Sequence, residues 1–157
     1  MAAGDSDWGC VPARLPPGAD APKLIWLMDI RDEINPVIVG TAPLPENAAE
    51  LCRRGGRFGA HNLQPSLPGS VRLKNTFLGT FFNGGVRAYR LRDSGVPGAP
   101  PHAEEVGYYI PAAPVGNPAG AVSINHVLVD ERGLIYICDR VAGGLYILEY
   151  TGTPPLD

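Results

Sequence analysis

The sequence predicts an all-β fold with one short helix, and three observations carry that prediction. Three apolar runs, 24–30 (LIWLMDI), 86–91 (VRAYRL) and 145–150 (LYILEY), are short, rich in β-formers and bounded by Gly, Asn or Pro. Helix competes for any one of them, but their length and flanking glycines decide for strands. Glycine (20) and proline (17) are dense along the 157 residues, while 45% of the chain is hydrophobic, so an ordered fold with many turns is expected. Finally, ten residues from Phe77 (FLGTFFNGGV) overlay ten from Tyr136 (YICDRVAGGL) without a gap, an offset of 59.

Taken in order, residues 1–22 carry Pro12, Pro16, Pro17 and Pro22 with three glycines and no periodicity, which reads as an extended arm. The strand run from Leu24 leads through a polar turn to a second strand with Val39-Gly40. PENAAELCRRGG (45–56) reads as a short helix over about 46–54, with Asn47 as candidate N-cap and Gly55 beyond its end. Each copy of the overlay is a strand, a polar connection, Gly-Gly and a second strand. Gly84-Gly85 and Gly143-Gly144 therefore suit tight hairpins in which a residue without Cβ accepts a positive φ. RDSGVPGAPPHAEE (92–105) is a surface loop, and 129–133 a hairpin turn with Gly133 at the left-handed position. The blades are expected over 23–152, with 153–157 as a tail.

Repeats of this length point to a solenoid or a propeller. A propeller blade takes about 40–45 residues and closure needs at least four blades. The chain thus encodes a partial propeller of two to three four-stranded antiparallel blades, with edges to cover. A longer polypeptide, assembly with copies or another chain, or capping by the arm and the helix would each cover them.

GAHN (59–62), FLGTFFNGGVRAY (77–89), EVGYYIP (105–111) and INHVLVDERGLIYICDRVAGGLYILEY (124–150) resemble the LVIVD-repeat proteins. LMDIRDEINPVIVG (27–40) is the copy nearest that family's namesake motif; Arg90 and Glu149 stand where the motif carries Asp in the later copies. The resemblance covers roughly 22–151 and is to the family's C-terminal part. It implies a β-propeller, usually in longer chains, and in a family mostly without an assigned activity.

A formal charge of −3 excludes a broad basic footprint for nucleic acid, and no apolar stretch reaches the roughly 20 residues of a membrane span. No signal-peptide pattern opens the chain, which favours a cytoplasmic location. Cys10, Cys52 and Cys138 form no CxxC, so neither a disulfide scaffold nor a cysteine zinc site is expected, and Cys138 is expected to pack as a small buried residue. Asn62 and Asn125 flank His61 and His126, each at the start of a repeat. They suit turn hydrogen bonds; the alternative is a transition-metal site of His61, His126 and Asp139 at a propeller channel. Asp139 and Arg140 suit a turn carboxylate and a surface ion pair. Gly55–Gly59 is glycine-rich and faintly basic but precedes no helix, which makes it a weak phosphate motif. In the pairs Phe81-Phe82 and Tyr108-Tyr109, at least one ring of each is expected in the core. The expected function is a non-catalytic scaffold or protein-interaction module without a cofactor, binding itself or another subunit through blade edges. The alternative is a metal-dependent enzyme using His61 and His126.

Overall fold

The structure is a computed structural model and describes residues 24–157. The arm expected over 1–22 lies outside the described residues. The fold is mostly β, with strands β1 (Trp26–Asp29), β2 (Val37–Thr41), β3 (Thr76–Thr80), β4 (Val86–Arg92), β5 (His102–Tyr109), β6 (Ile124–Val129), β7 (Ile135–Asp139) and β8 (Gly144–Leu148). One helix, α1 (Ala48–Arg53), falls inside the predicted range. Asn47 occupies its N-cap position but its side chain makes no capping hydrogen bond. No helix among the described residues is long and apolar enough to cross a membrane.

The strands form three antiparallel sheets, β1-β2, β3-β4-β5 and β6-β7-β8, and none of them closes. Strands thus number two or three per sheet where four were expected. One physical reason is visible beside β3. Residues 61–64 run along its edge, with the N–H groups of His61 and Gln64 donating to Thr80 and Leu78 carbonyls at 2.8 and 2.9 Å, and Thr80 N–H to Asn62. Pro65 and Pro68 then interrupt the ladder, since proline has no N–H to donate. Beyond β8 the chain turns away instead of adding a strand. The Asp157 carbonyl accepts the N–H groups of Lys74, Asn75 and Thr76, tying the tail to the start of β3.

The middle sheet is a wall between two cores. Side chains alternate along β4, so Val86 and Ala88 face one way and Tyr89 and Leu91 the other. On the first face they join Leu78 from β3 and Val127, Val129, Ile135 and Ile137 from the third sheet. On the second, Tyr89 packs with Ile25, Leu51 of α1, Phe58 and Phe81. Phe77 stacks on Tyr89 at a centroid distance of 5.2 Å. Each large apolar side chain buried this way contributes roughly 1.5–3 kcal/mol.

Both predicted hairpin glycine pairs place their second member at positive φ, Gly85 at +76° and Gly144 at +70°. Gly85 is held hard against the chain, because a Cβ there would run into the Tyr109 carbonyl. Gly133, at φ +84° in the β6–β7 turn, has open space around the same position. The two sites separate backbone strain from collision. Gly133→Ala should cost about 1–2 kcal/mol, the left-handed penalty alone. Gly85→Ala should cost at least about 3 kcal/mol, because backbone cannot step aside. Urea denaturation of both variants reads the difference.

The β6–β7 turn is also an electrostatic unit. Burial works against ionisation of Asp130, but its carboxylate accepts from Arg132 Nε, the Leu134 and Arg132 N–H groups and the Tyr136 hydroxyl, and these hold it below the ordinary 3.8. Asp29, bonded by the Arg31 side chain, is lowered to about 2. A depressed folded-state value means the stabilisation is complete above the unfolded pKa and is lost as pH falls through the folded one. Stability measured by denaturant should therefore decline below about pH 4. The Asp130→Asn variant, less stable at neutral pH, should decline less steeply over that window.

Candidate functional site

The middle and third sheets meet at a seam, and several sequence-predicted residues converge on it. The seam is closed by a reciprocal backbone pair: Phe82 N–H donates to the Ile124 carbonyl at 3.2 Å, and Ile124 N–H to that of Phe82 at 3.0 Å. Phe82 makes this pair at φ +51°, a left-handed conformation rare for a bulky residue. Its ring lies against His61, at 4.5 Å between centroids, and the Arg57 guanidinium, at 5.8 Å.

Asn125, which follows Ile124, is the polar hub. Its carbonyl lies 3.1 Å from His61 Nδ1 and accepts the Thr80 hydroxyl at 3.1 Å. Its side-chain oxygen lies 3.5 Å from Arg140 Nη1. The strand bulges here, between Ile124 and His126, which frees the Asn125 carbonyl from the ladder. The sequence places His61 and Asn125 at corresponding starts of two copies; their direct contact across the seam is a result of the fold.

The three residues considered for a metal do different things. His61 is exposed and bound at Nδ1 to the Asn125 carbonyl. His126 lies in β6 opposite Cys138 of β7, on the outward face of the third sheet. Asp139 is buried and accepts three backbone N–H groups, from Ser123 (3.1 Å), Val141 (3.0 Å) and Gly143 (3.0 Å). Among the described residues, no three of His, Cys, Asp and Glu gather in a group able to hold a metal ion. Asp139 is the carboxylate that shapes the β7–β8 hairpin, and Arg140 beside it reaches toward Asn125 instead of forming an ion pair.

Two cysteine expectations are corrected. Cys138 is exposed, because Ile135, Ile137 and Asp139 take the inner face of β7 and leave the even positions outside. Cys52 on α1 is disulfide-bonded, a pairing that depends on proximity in space and that motif spacing does not reveal. Of the aromatic pairs, Phe81 and Phe82 are both buried, which meets the expectation, whereas Tyr108 and Tyr109 are both exposed, which departs from it.

The two outer sheets present apolar faces. On the first, Trp26, Met28 and Ile38 are 55%, 52% and 56% exposed, with Met28 and Ile38 directly opposed across β1 and β2. On the third, Leu145 and Ile147 are 58% and 57% exposed. They end two cross-strand rows, His126–Cys138–Leu145 and Leu128–Tyr136–Ile147. Nothing in the composition announces this distribution; it follows from which strand faces the stack leaves at its ends.

The buried Arg87, not singled out by the sequence, completes the polar inventory. Its Nη1 is 2.9 Å from both oxygens of Glu105, and its guanidinium lies 4.7 Å from the centre of the Tyr108 ring. Comparison of the chain with protein-family models, curated proteins and solved structures finds no match.

These placements give separable outcomes. Asp139→Ala removes a charged acceptor from three backbone donors and should cost about 3 kcal/mol. His126→Ala, at an exposed position, should change stability by less than about 0.5 kcal/mol. Equilibrium urea unfolding of the two variants checks the contrast.

Proposed function

We propose that the chain is a non-catalytic β-propeller-type scaffold of the LVIVD-repeat kind, a protein-interaction module that docks protein through the end faces and edges of its stacked sheets. The observation that carries this reading is the pair of apolar faces at the two ends of the stack. In a propeller, each sheet packs face to face on the next around a ring. Here the first core joins the middle sheet to the third, and the second core joins it to Ile25, Leu27 and α1 on the other side. The same kind of packing, continued at either end, would cover Trp26, Met28 and Ile38 or Leu145 and Ile147.

Strand inventory supports the reading as well. Matching β1 and β2 to β4 and β5, as the repeat alignment does, makes the first sheet the trailing half of a blade. Matching β7 and β8 to β3 and β4 makes the third sheet a blade without its last strand. With the segment 61–64 along β3, the middle sheet has the makings of a whole one. Two incomplete blades flanking one nearly complete blade leave unsatisfied strand edges, which favour partners over isolation.

The preferred partner is a second copy, joined head to tail: the Trp26 face of one against the Ile147 face of the next. Light scattering after size exclusion should find the chain associated in the micromolar range. The variants Trp26→Asp/Met28→Asp and Leu145→Asp/Ile147→Asp should each be monomeric. Mixed at equal concentration, they should form a dimer and stop there, since each retains the face the other lacks. A wild-type chain that stays monomeric throughout, or variants that associate as wild type does, overturns the proposal.

A further inference from the structure

We propose that the start of β3 and the buried Arg90 of β4 form a recognition site for a proline-rich acidic segment of another protein chain. Residues 154–157 occupy that site as an intramolecular placeholder. The site is built into a ladder. Thr76 and Arg90 are direct partners across β3 and β4, and the Leu91 N–H donates to the Asn75 carbonyl at 2.7 Å. Thr76 and Arg90 are both buried, at 4% and 5% exposure. The sheet therefore holds their donors in place, whatever fills the space in front of them.

Nearly every polar contact runs the same way, from a donor on the sheet to an acceptor on the tail. Arg90 Nη2 donates to the Pro154 and Pro155 carbonyls at 3.0 and 2.7 Å. The N–H groups of Lys74, Asn75 and Thr76 converge on the main-chain oxygen of Asp157 at 2.8, 3.1 and 3.1 Å, an arrangement suited to a strong acceptor. The Asp157 carboxylate accepts from the Thr76 hydroxyl at 2.8 Å and from Asn75 Nδ2 at 3.3 Å. These two donors, Thr76 first, hold its pKa below the ordinary 3.8. The one return bond, from the Asp157 N–H to Thr76 Oγ1, is long at 3.4 Å. Prolines suit such a site, because their carbonyls accept while they bring no N–H that needs a partner.

Two observations make the tail a placeholder instead of a fixed part of the fold. It is held at the surface: Thr153, Pro154, Pro155 and Asp157 are exposed, and only Leu156 reaches the first core, half-buried. It also underfills the site. Arg90 Nε is buried without a hydrogen-bond partner, and Asp157 Oδ1 stays 3.7 Å from it, beyond hydrogen-bond reach. A buried guanidinium left partly unpaired is costly, so the site favours an occupant that satisfies it. A carboxylate one methylene longer in the last position spans the gap, which selects glutamate there. The ligand class is therefore Pro-Pro-apolar-Glu, with two carbonyls for Nη2 and a carboxylate shared between Thr76 and Nε. None of the end-face residues takes part, so this site stands or falls apart from self-association.

The test is NMR titration of the full chain with the free peptides Thr-Pro-Pro-Leu-Glu, Thr-Pro-Pro-Leu-Asp and Thr-Pro-Pro-Leu-Gln. Wild type is compared with Leu156→Ser/Asp157→Ser, whose tail is loosened. A tethered tail competes at an effective concentration in the millimolar range, so the loosened chain should bind peptide at least about tenfold more tightly. Saturable shifts should centre on the amides of Lys74, Asn75 and Thr76. The Glu-ended peptide should bind tightest and the Gln-ended one about tenfold more weakly. Asp157→Glu in the otherwise intact chain should raise the melting temperature and make its own tail harder to displace. The wild-type and Asp157→Glu arms decide the matter even where the loosened chain does not fold. There, millimolar Glu-ended peptide should shift the Leu156 methyls of wild type and shift those of Asp157→Glu less. Absence of saturable binding at those amides, equal affinity for the three peptides, or a lower melting temperature in Asp157→Glu overturns the proposal.

Discussion

Strand β4 carries the architecture because it is buried on both faces. Residues 86–90 are all inaccessible to solvent, so the strand must find apolar partners in two directions at once. Strands buried this way usually read as unbroken hydrophobic runs. This one carries Arg87 and Arg90, and the structure answers each charge separately. Arg87 is paired with Glu105 and roofed by Tyr108, whereas Arg90 donates to the Pro154 and Pro155 carbonyls at 3.0 and 2.7 Å. Removing one partner of such a charge typically costs about 3–5 kcal/mol, since the remaining one is stranded. The docked tail is therefore part of the core's electrostatics, although its sequence reads as a loose end.

The second constraint is the joint between the middle and third sheets. Phe82 accepts a left-handed backbone so that it can exchange two hydrogen bonds with Ile124. Such strain, of order 1–3 kcal/mol, persists only where surroundings over-determine it. Here the His61 ring, the Arg57 guanidinium and the Gly85 turn supply that determination. The same joint sets the position of Asn125, and through it those of His61, Thr80 and Arg140. A single strained residue thus connects sheet packing to the polar cluster on the surface.

How far the sequence could be read follows from these two constraints. The three strand runs, the helix, Gly85, Gly133 and Gly144 were all legible, because period and turn chemistry are local. Strand parity could also have placed Cys138 outside, given Ile135 and Ile137 within. What no local pattern encodes is the partner of a residue across a seam. Phe82 looks like one of a pair of ordinary strand aromatics, and only the Ile124 ladder demands its left-handed turn. His61, His126 and Asp139 look like a ligand set in one dimension. In three, they are a seam contact, an outward-facing strand residue and a buried turn acceptor.

Charge and apolar surface are sorted by the same geometry. Two apolar clusters fill the spaces on either side of the middle sheet, and Trp26, Met28, Leu145 and Ile147 stay exposed on the two outer sheets. At the seam, backbone segments from different sheets approach at their turns, where side chains are long, polar and free of ladder constraints. Arg140 comes from such a turn, and Asp139 beside it is turned inward to hold its hairpin. A hairpin that needs its acid for three backbone donors leaves the neighbouring Arg140 side chain to reach across the seam toward Asn125, so the contact between the sheets is a direct consequence of how the last two strands are joined.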